Sequence, residues 1–268
     1  MYNGTMRYFN KRNRAILREM VSTDFKVRYQ GSVLGYAWSL FRPLLLFAIL
    51  YVVFVYIFNL GKGIAHYPVY LLFGIVIWNF FVETTSVGMG SVVTKGELIR
   101  KISIPRYLVV LSSSASALIN LSLNLLVVLV FAVINGVYPM ITWLWLPAII
   151  LEMLLFASAV AFFLSAMYVK FRDLSYIWEV VLQAGFYGTP ILYSLTKVPE
   201  KFRVFLLISP VAQMIQDGRY FVITKTSITG WNSLRLRYAI LPLVVVVICC
   251  ITSALYFKKE SKYFAENI

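Results

Sequence analysis

The sequence predicts an all-α integral membrane protein. Its expected parts are six transmembrane helices, an amphipathic helix at the N-terminus, a short cytoplasmic docking helix, and outer re-entrant half-helices before the last span. Three observations carry this. Of the 268 residues, 60% are hydrophobic and only 13% charged, where a soluble domain carries about 25% charged residues. Apolar runs long enough to cross a bilayer, about 20 residues each, recur from Leu34 to Phe257. Lys and Arg collect at the ends of those runs, where they orient a chain in a membrane.

The formal charge of +14 would suit nucleic acid only if it formed a basic face on a soluble module. Spread over the ends of apolar runs, it points instead to anionic membrane lipids and to no nucleic-acid partner. Cys249 and Cys250 are adjacent inside the last run, a spacing that suggests neither a disulfide framework nor a metal site. No cleavable signal peptide is expected, because the first thirty residues are polar and basic and the first apolar run exceeds a signal h-region.

The chain divides into a cytoplasmic amphipathic segment (1–33), a six-span body (34–257) and a cytoplasmic tail (258–268). Between Lys11 and Val27 a helical wheel gathers Ile16, Leu17, Met20, Val21 and Val27 on one arc, and Lys11, Arg12, Arg18 and Lys26 on the other. This is the pattern of a helix lying in the membrane surface; a basic topogenic tail is the plainer alternative. Asp24 and Arg28 break the pattern by falling in the apolar arc.

The first span, about Leu34–Leu60, carries Arg42-Pro43 near its start, where Arg can snorkel outward and Pro loosens the helix. The second, about Tyr67–Val93, contains Glu83, and a carboxylate inside a span faces a partner or a cavity rather than lipid. The third, about Leu108–Ile134, is rich in Ser and Asn, which favour close helix packing and cross-helix hydrogen bonds. The fourth, about Trp143–Val169, holds Glu152 and ends at the charged turn Lys170-Phe171-Arg172-Asp173. The fifth, about Tyr176–Tyr193, is short and interrupted by Gly185, Gly188 and Pro190, and such irregular backbone needs surrounding protein or a cavity. Segment 194–237 contains two half-length apolar pieces, Phe202–Ile208 and Pro210–Met214, too short to span. The sixth span is about Ala239–Phe257.

Six spans put both termini on one side. That side collects 16 Lys and Arg against 8 on the other, so the termini are expected in the cytoplasm. Seven of the eight lie in 194–237, and an embedded part of that segment could turn its charges toward an anionic substrate or lipid.

Segment 94–107 is the most informative. It is short, basic and half apolar, with Leu98, Ile99 and Ile102 at helical spacing among Lys95, Arg100 and Lys101, and Pro105 closes it. It reads either as an ordinary positive cytoplasmic loop or as a docking helix that takes force from a soluble partner. Other chemistry is absent from the sequence. There is no G-x-x-x-x-G-K-[ST] motif, His66 is the only histidine, and no nucleophile stands beside a base. These leave no catalytic residue, no metal ligand set and no bound cofactor to expect on this chain. No internal repeat of the inverted-repeat transporter type is visible.

Val27-Arg28-Tyr29-Gln30-Gly31-Ser32-Val33-Leu34-Gly35-Tyr36-Ala37-Trp38-Ser39-Leu40 resembles the opening sequence of ABC polysaccharide-export permeases, the membrane subunits that export O-antigen, capsule or teichoic acid chains. Glu97-Leu98-Ile99-Arg100-Lys101 with Ile104-Pro105-Arg106 resembles the family's coupling helix, and Phe171-Arg172-Asp173-Leu174 its turn after the fourth span. Thr189-Pro190-Ile191-Leu192-Tyr193, Val198-Pro199-Glu200-Lys201-Phe202 and Ser209-Pro210-Val211-Ala212 are similar to its broken fifth span and outer re-entrant region, with Ser209 where related chains often have Asn. The ordered set covers nearly the whole chain.

The resemblance implies a homodimeric permease in a bacterial cytoplasmic membrane, with two ATP-binding subunits beneath it that hold the ATP and Mg. Its cargo would be a lipid-linked polysaccharide. Coupling would fall to Glu97, Leu98, Ile99, Arg100, Lys101, Arg172 and Asp173, and gating to the surface helix at Lys26, Arg28 and Tyr29. The substrate path would draw on Glu83 and on the rings of Trp38, Tyr51, Tyr56, Phe186, Tyr187 and Tyr193, whose apolar faces suit sugar stacking. An ion-driven lipid-glycan flippase using Glu83 and Glu152, or an ABC permease for another amphiphile, are the alternatives.

Overall fold

The computed structural model describes residues 11–29, 35, 37–58, 61, 63–101, 104–233 and 239–264. Among these there is no strand; the elements are helices. In chain order they are α1 (Lys11–Tyr29), α2 (Ala37–Tyr51), α3 (Tyr67–Thr94), α4 (Gly96–Lys101), α5 (Tyr107–Ile134), α6 (Leu146–Lys170), α7 (Leu174–Gly188), α8 (Glu200–Ile208), α9 (Pro210–Val222), α10 (Gly230–Ser233) and α11 (Leu241–Glu260).

Five of these, with their helical extensions, are long and apolar enough to cross a membrane: 37–57, 67–94, 106–134, 141–170 and 241–263. The remaining crossing expected from the sequence is α7, at 15 residues. At about 1.5 Å per residue it reaches roughly 22 Å, short of a hydrocarbon layer about 30 Å thick. It runs through Gly185 and stops at Gly188, so Pro190 lies just beyond its end. Pro43 does not end α2, which continues through it and then widens into a π-helical turn at Val52–Ile57.

Helix α3 is the centre of the molecule. It is apolar nearly all round and buried along most of its length, as expected of a helix enclosed by others. Helices α5, α6, α7 and α9 and part of α2 pack on it. Close approach to α6 depends on Gly88, where an added Cβ would come within 2.7 Å of the Ala161 Cβ. The main core runs from Tyr67 to Phe81 on α3 and takes in Met153, Phe156, Ile191, Met214 and Ile215. A second, smaller core sits at the α4 end. There Met20 of α1 meets Val92, Ile99, Leu108, Val169 and Phe257. Lys170 and Glu260, 2.5 Å apart, tie the ends of α6 and α11 at the same end.

The half-helices α8 and α9 are short, as their apolar lengths require. The polypeptide folds α9 into the core, where even Gln213, Gln216, Asp217 and Arg219 are buried. Its last carbonyls are satisfied from the turn before α6. The Thr142 hydroxyl donates to Phe221 O at 2.6 Å and the Trp143 indole N–H to Val222 O at 3.1 Å.

Candidate functional site

Three places on this frame gather the residues that the sequence singles out. The first is α4. Pro105 prevents its merger with α5, and its six residues divide cleanly. Ile99 is buried and Leu98 half-buried against the second core, while Glu97, Arg100 and Lys101 face outward. Lys101 Nζ pairs with Glu97 at 3.1 Å on the exposed side. A shallow groove beside it is lined by Arg100, Lys101, Pro105 and Arg106. The helix is thus amphipathic, seated on the small core by its apolar side and presenting its charged side outward. Arg172 and Asp173 are exposed at the α6–α7 turn, close in sequence to Val169 of the same small core. The Arg172 guanidinium stands 5.4 Å over the Tyr168 ring.

The second place is α1. Its Lys26 is exposed, and the side chains of Arg28 and Tyr29 lie outside the described residues. Ile16, Leu17 and Met20 do pack inward, but Val27, which the wheel places on the apolar arc, is exposed. Asp24, which breaks that arc, turns toward protein. Both its oxygens lie 2.7 Å from Lys95 Nζ.

The third is a cavity of about 650 Å³ between α2, α3 and α5, within the apolar body. Trp38, Arg42, Asn79, Glu83, Asn120 and Asn124 line it. Asn120 donates to Glu83 Oε1 at 2.7 Å, and Asn124 donates to Ser39 O at 3.2 Å. Asn120 is buried, and its Oδ1 has no donor among the described residues. A buried oxygen without a donor seeks water or a polar ligand. The cavity therefore offers amide, carboxylate and guanidinium groups beside one large aromatic face.

Of the path residues, Trp38 and Glu83 meet in this cavity. Tyr51 and Tyr56 pair edge to face farther along α2, at 6.2 Å between ring centroids. Phe186 and Tyr187 pair at the end of α7, with Phe186 reaching Trp78 of α3. Tyr193 lies past the break, its hydroxyl donating to Gly188 O at 3.0 Å. One subunit thus holds these rings in three separate groups. Glu152 and Glu83 belong to different surroundings, Glu152 lying within electrostatic reach of Asp217 on α9.

The sequence does not single out Arg219. Its side chain is fully buried and donates to Tyr70 O (2.9 and 3.2 Å), Pro190 O (2.5 Å), Ile191 O (2.8 Å) and Gln216 Oε1 (3.3 Å). Its guanidinium carbon lies 3.4 Å from the Tyr70 ring centroid. The broken end of α7 exposes carbonyls that no helix satisfies, and a planar fork of five donors answers them at once. Tyr67 adds a hydroxyl donor to Leu192 O at 2.8 Å. Of the cations in 194–237, this one is spent on backbone and turns to no anionic substrate or lipid. Its helix carries the one available clue, a Gln-rich polar stretch within an apolar environment.

A family model described as ABC-2 type transporter matches residues 17–223, from the middle of α1 to the end of α9. The chain belongs to the ABC-2 type transporter family. Among curated relatives it is 29% identical over 244 residues to an O-antigen export system permease protein RfbA of Klebsiella pneumoniae, covering 84% of this chain and 93% of that one. A permease protein of the same name from Myxococcus xanthus is 27% identical over 206 residues, 75% of this chain and 78% of that one. The ABC-2 chain is therefore a multi-pass membrane permease, and its family works with an ABC ATP-binding partner. The matched span includes α4, the cavity and the Arg219 knot together.

Proposed function

We propose that this ABC-2 chain is the transmembrane subunit of an ATP-driven exporter that moves a lipid-linked polysaccharide, of O-antigen, capsule or teichoic acid type, outward across a bacterial cytoplasmic membrane. The observation that carries the reading is α4, a short helix with a charged outer face joined through Lys95 to the end of the central helix α3. Force applied there acts on the element around which the body is packed. The relatives named as O-antigen export permeases support the choice of cargo.

ATP and Mg would sit on a separate subunit, and both termini would be cytoplasmic. Two copies of this chain would face each other across the path. The apolar, little-buried faces of α2 and α7, including Phe41, Leu45, Ile49, Ile177 and Val180, would supply that pairing. The cavity beside Trp38 and Glu83 would receive the polar end of the cargo. Purification of the tagged chain from its native cell in mild detergent tests the assembly. A stoichiometric Walker-A protein is the expected companion. An intact dimer without one, still exporting when that ATPase is disabled, would overturn the proposal in favour of ion-driven flipping.

A further inference from the structure

We propose that the Asp24–Lys95 ion pair carries the displacement of α4 to the surface helix α1, and through α1 to α5, one wall of the cavity. The inference rests on α4 being the ATPase docking helix and adds a route for what happens after docking.

Lys95 is the residue between α3 and α4, and its backbone leaves helical geometry there (φ −98°, ψ 21°). Any tilt of α4 against α3 pivots at this residue. Its ammonium is tied to α1 through both Asp24 oxygens at 2.7 Å, and to α5 through Ser112 Oγ at 3.2 Å. Ser112 Oγ also lies 3.3 Å from Asp24 Oδ2, which closes a three-helix knot. The two charged side chains are only 22% and 21% exposed, so the pair is shielded in a way that surface pairs are not. Beside it, Met20 of α1 and Ile99 of α4 share the small core. The Asn13 amide donates to the Tyr107 hydroxyl at 3.1 Å, a second fastening at the other end of α1.

The downstream end is equally specific. Helix α1 packs chiefly on α5, which also supplies Ser112 to the knot. A shift of α1 therefore reaches α5 directly. Asn120 and Asn124 of α5 line the cavity, and Asn124 donates to Ser39 O at the start of α2, so a displaced α5 reshapes the cavity. Asp24 and Lys95 are positioning residues in this scheme; neither touches cargo.

The test uses the full complex with its ATPase, comparing Asp24→Asn, Lys95→Gln, Lys95→Arg and the reversed pair Asp24→Lys/Lys95→Asp. Two quantities are read per assembled complex: ATP hydrolysis and glycan delivered to the cell surface. The neutral variants should hydrolyse ATP like the parent while export falls about tenfold, the scale of a direct contact coupling. Lys95→Arg and the reversed pair should restore most of the export. Should a neutral variant fail to accumulate, Ser112→Ala decides, since it loosens the knot without leaving either charge unpaired: export should fall with hydrolysis kept, and export equal to the parent would overturn the inference. Neutral variants that export like the parent, or a reversed pair no better than the neutral ones, would overturn the inference. A parent complex that exports with its nucleotide site disabled would instead overturn the proposed function, whatever the variants do.

Discussion

Arg219→Met removes the knot that holds the broken end of α7 to α3 and α9. The methionine fills much of the same volume but supplies no donor. Tyr70 O, Pro190 O, Ile191 O and Gln216 Oε1 would each lose a charge-assisted bond, individually about 1.5–3 kcal/mol. These do not simply add, because removing a buried guanidinium also relieves its desolvation. Buried acceptors left without a donor cost about 1–3 kcal/mol each where relaxation does not re-pair them, so a net loss of about 3 kcal/mol is expected. At about 2–4 °C per kcal/mol for a chain of this size, the melting temperature should fall by about 10 °C. Thermal unfolding in detergent, followed by tryptophan fluorescence, reads the change. Gly74→Ala supplies an internal check, because its new Cβ would lie 2.5 Å from Arg219 Nη2. Alanine at 74 should be harmful beside Arg219 and much less so in the Arg219→Met background, where the side chain is shorter and flexible, giving a coupling above about 0.5 kcal/mol. A melting temperature unchanged within about 2 °C in Arg219→Met would refute the reasoning.

Replacing Arg100 and Lys101 together by Glu should abolish export while leaving membrane insertion and dimer yield intact; the Glu97–Lys101 pair that is lost is exposed and worth about 0.3–0.5 kcal/mol, so unchanged export would remove the docking role. Gly88→Ile should prevent accumulation of folded chain by forcing α3 from α6, with partial rescue by Ala161→Gly; normal accumulation on immunoblot would contradict the tight crossing. Asn120→Leu should cost about 1 kcal/mol by removing the amide that donates to Glu83, and should lower export more than stability; equal stability and export to the parent would remove the cavity from the path.

The span positions were legible because a long apolar run has few alternatives to a membrane helix. Residues 67–93 and 108–134, read as spans from hydropathy, match α3 and α5 to within a residue. The short helix α4 was legible from Leu98, Ile99 and Ile102 at helical spacing and from Pro105, which are local signals, although Ile102 lies outside the described residues. Asp24 was visible as an anomaly, but its partner Lys95 is 71 residues away, and periodicity within one helix cannot name it. Arg219 was invisible for a stronger reason. Its acceptors are mostly backbone carbonyls, which every residue possesses, so no side-chain pattern announces the partnership. The π-helical turn ending α2 likewise has no composition cue, since Val52-Val53-Phe54-Val55-Tyr56-Ile57 would suit an α-helix or a strand equally.

The distance between Arg219 and Tyr70 along the chain, 149 residues, bears on how the protein is made. Helix α3 leaves the ribosome early, yet the cation that completes its surroundings is translated only after most of α9 has been made. Until then the carbonyls at Pro190 and Ile191 have no guanidinium to meet, and α3 has only part of its jacket. Over that interval the nascent chain carries its central helix unfinished. A chain released before residue 219 would be membrane-inserted but never locked, and would be a ready target for quality-control proteolysis.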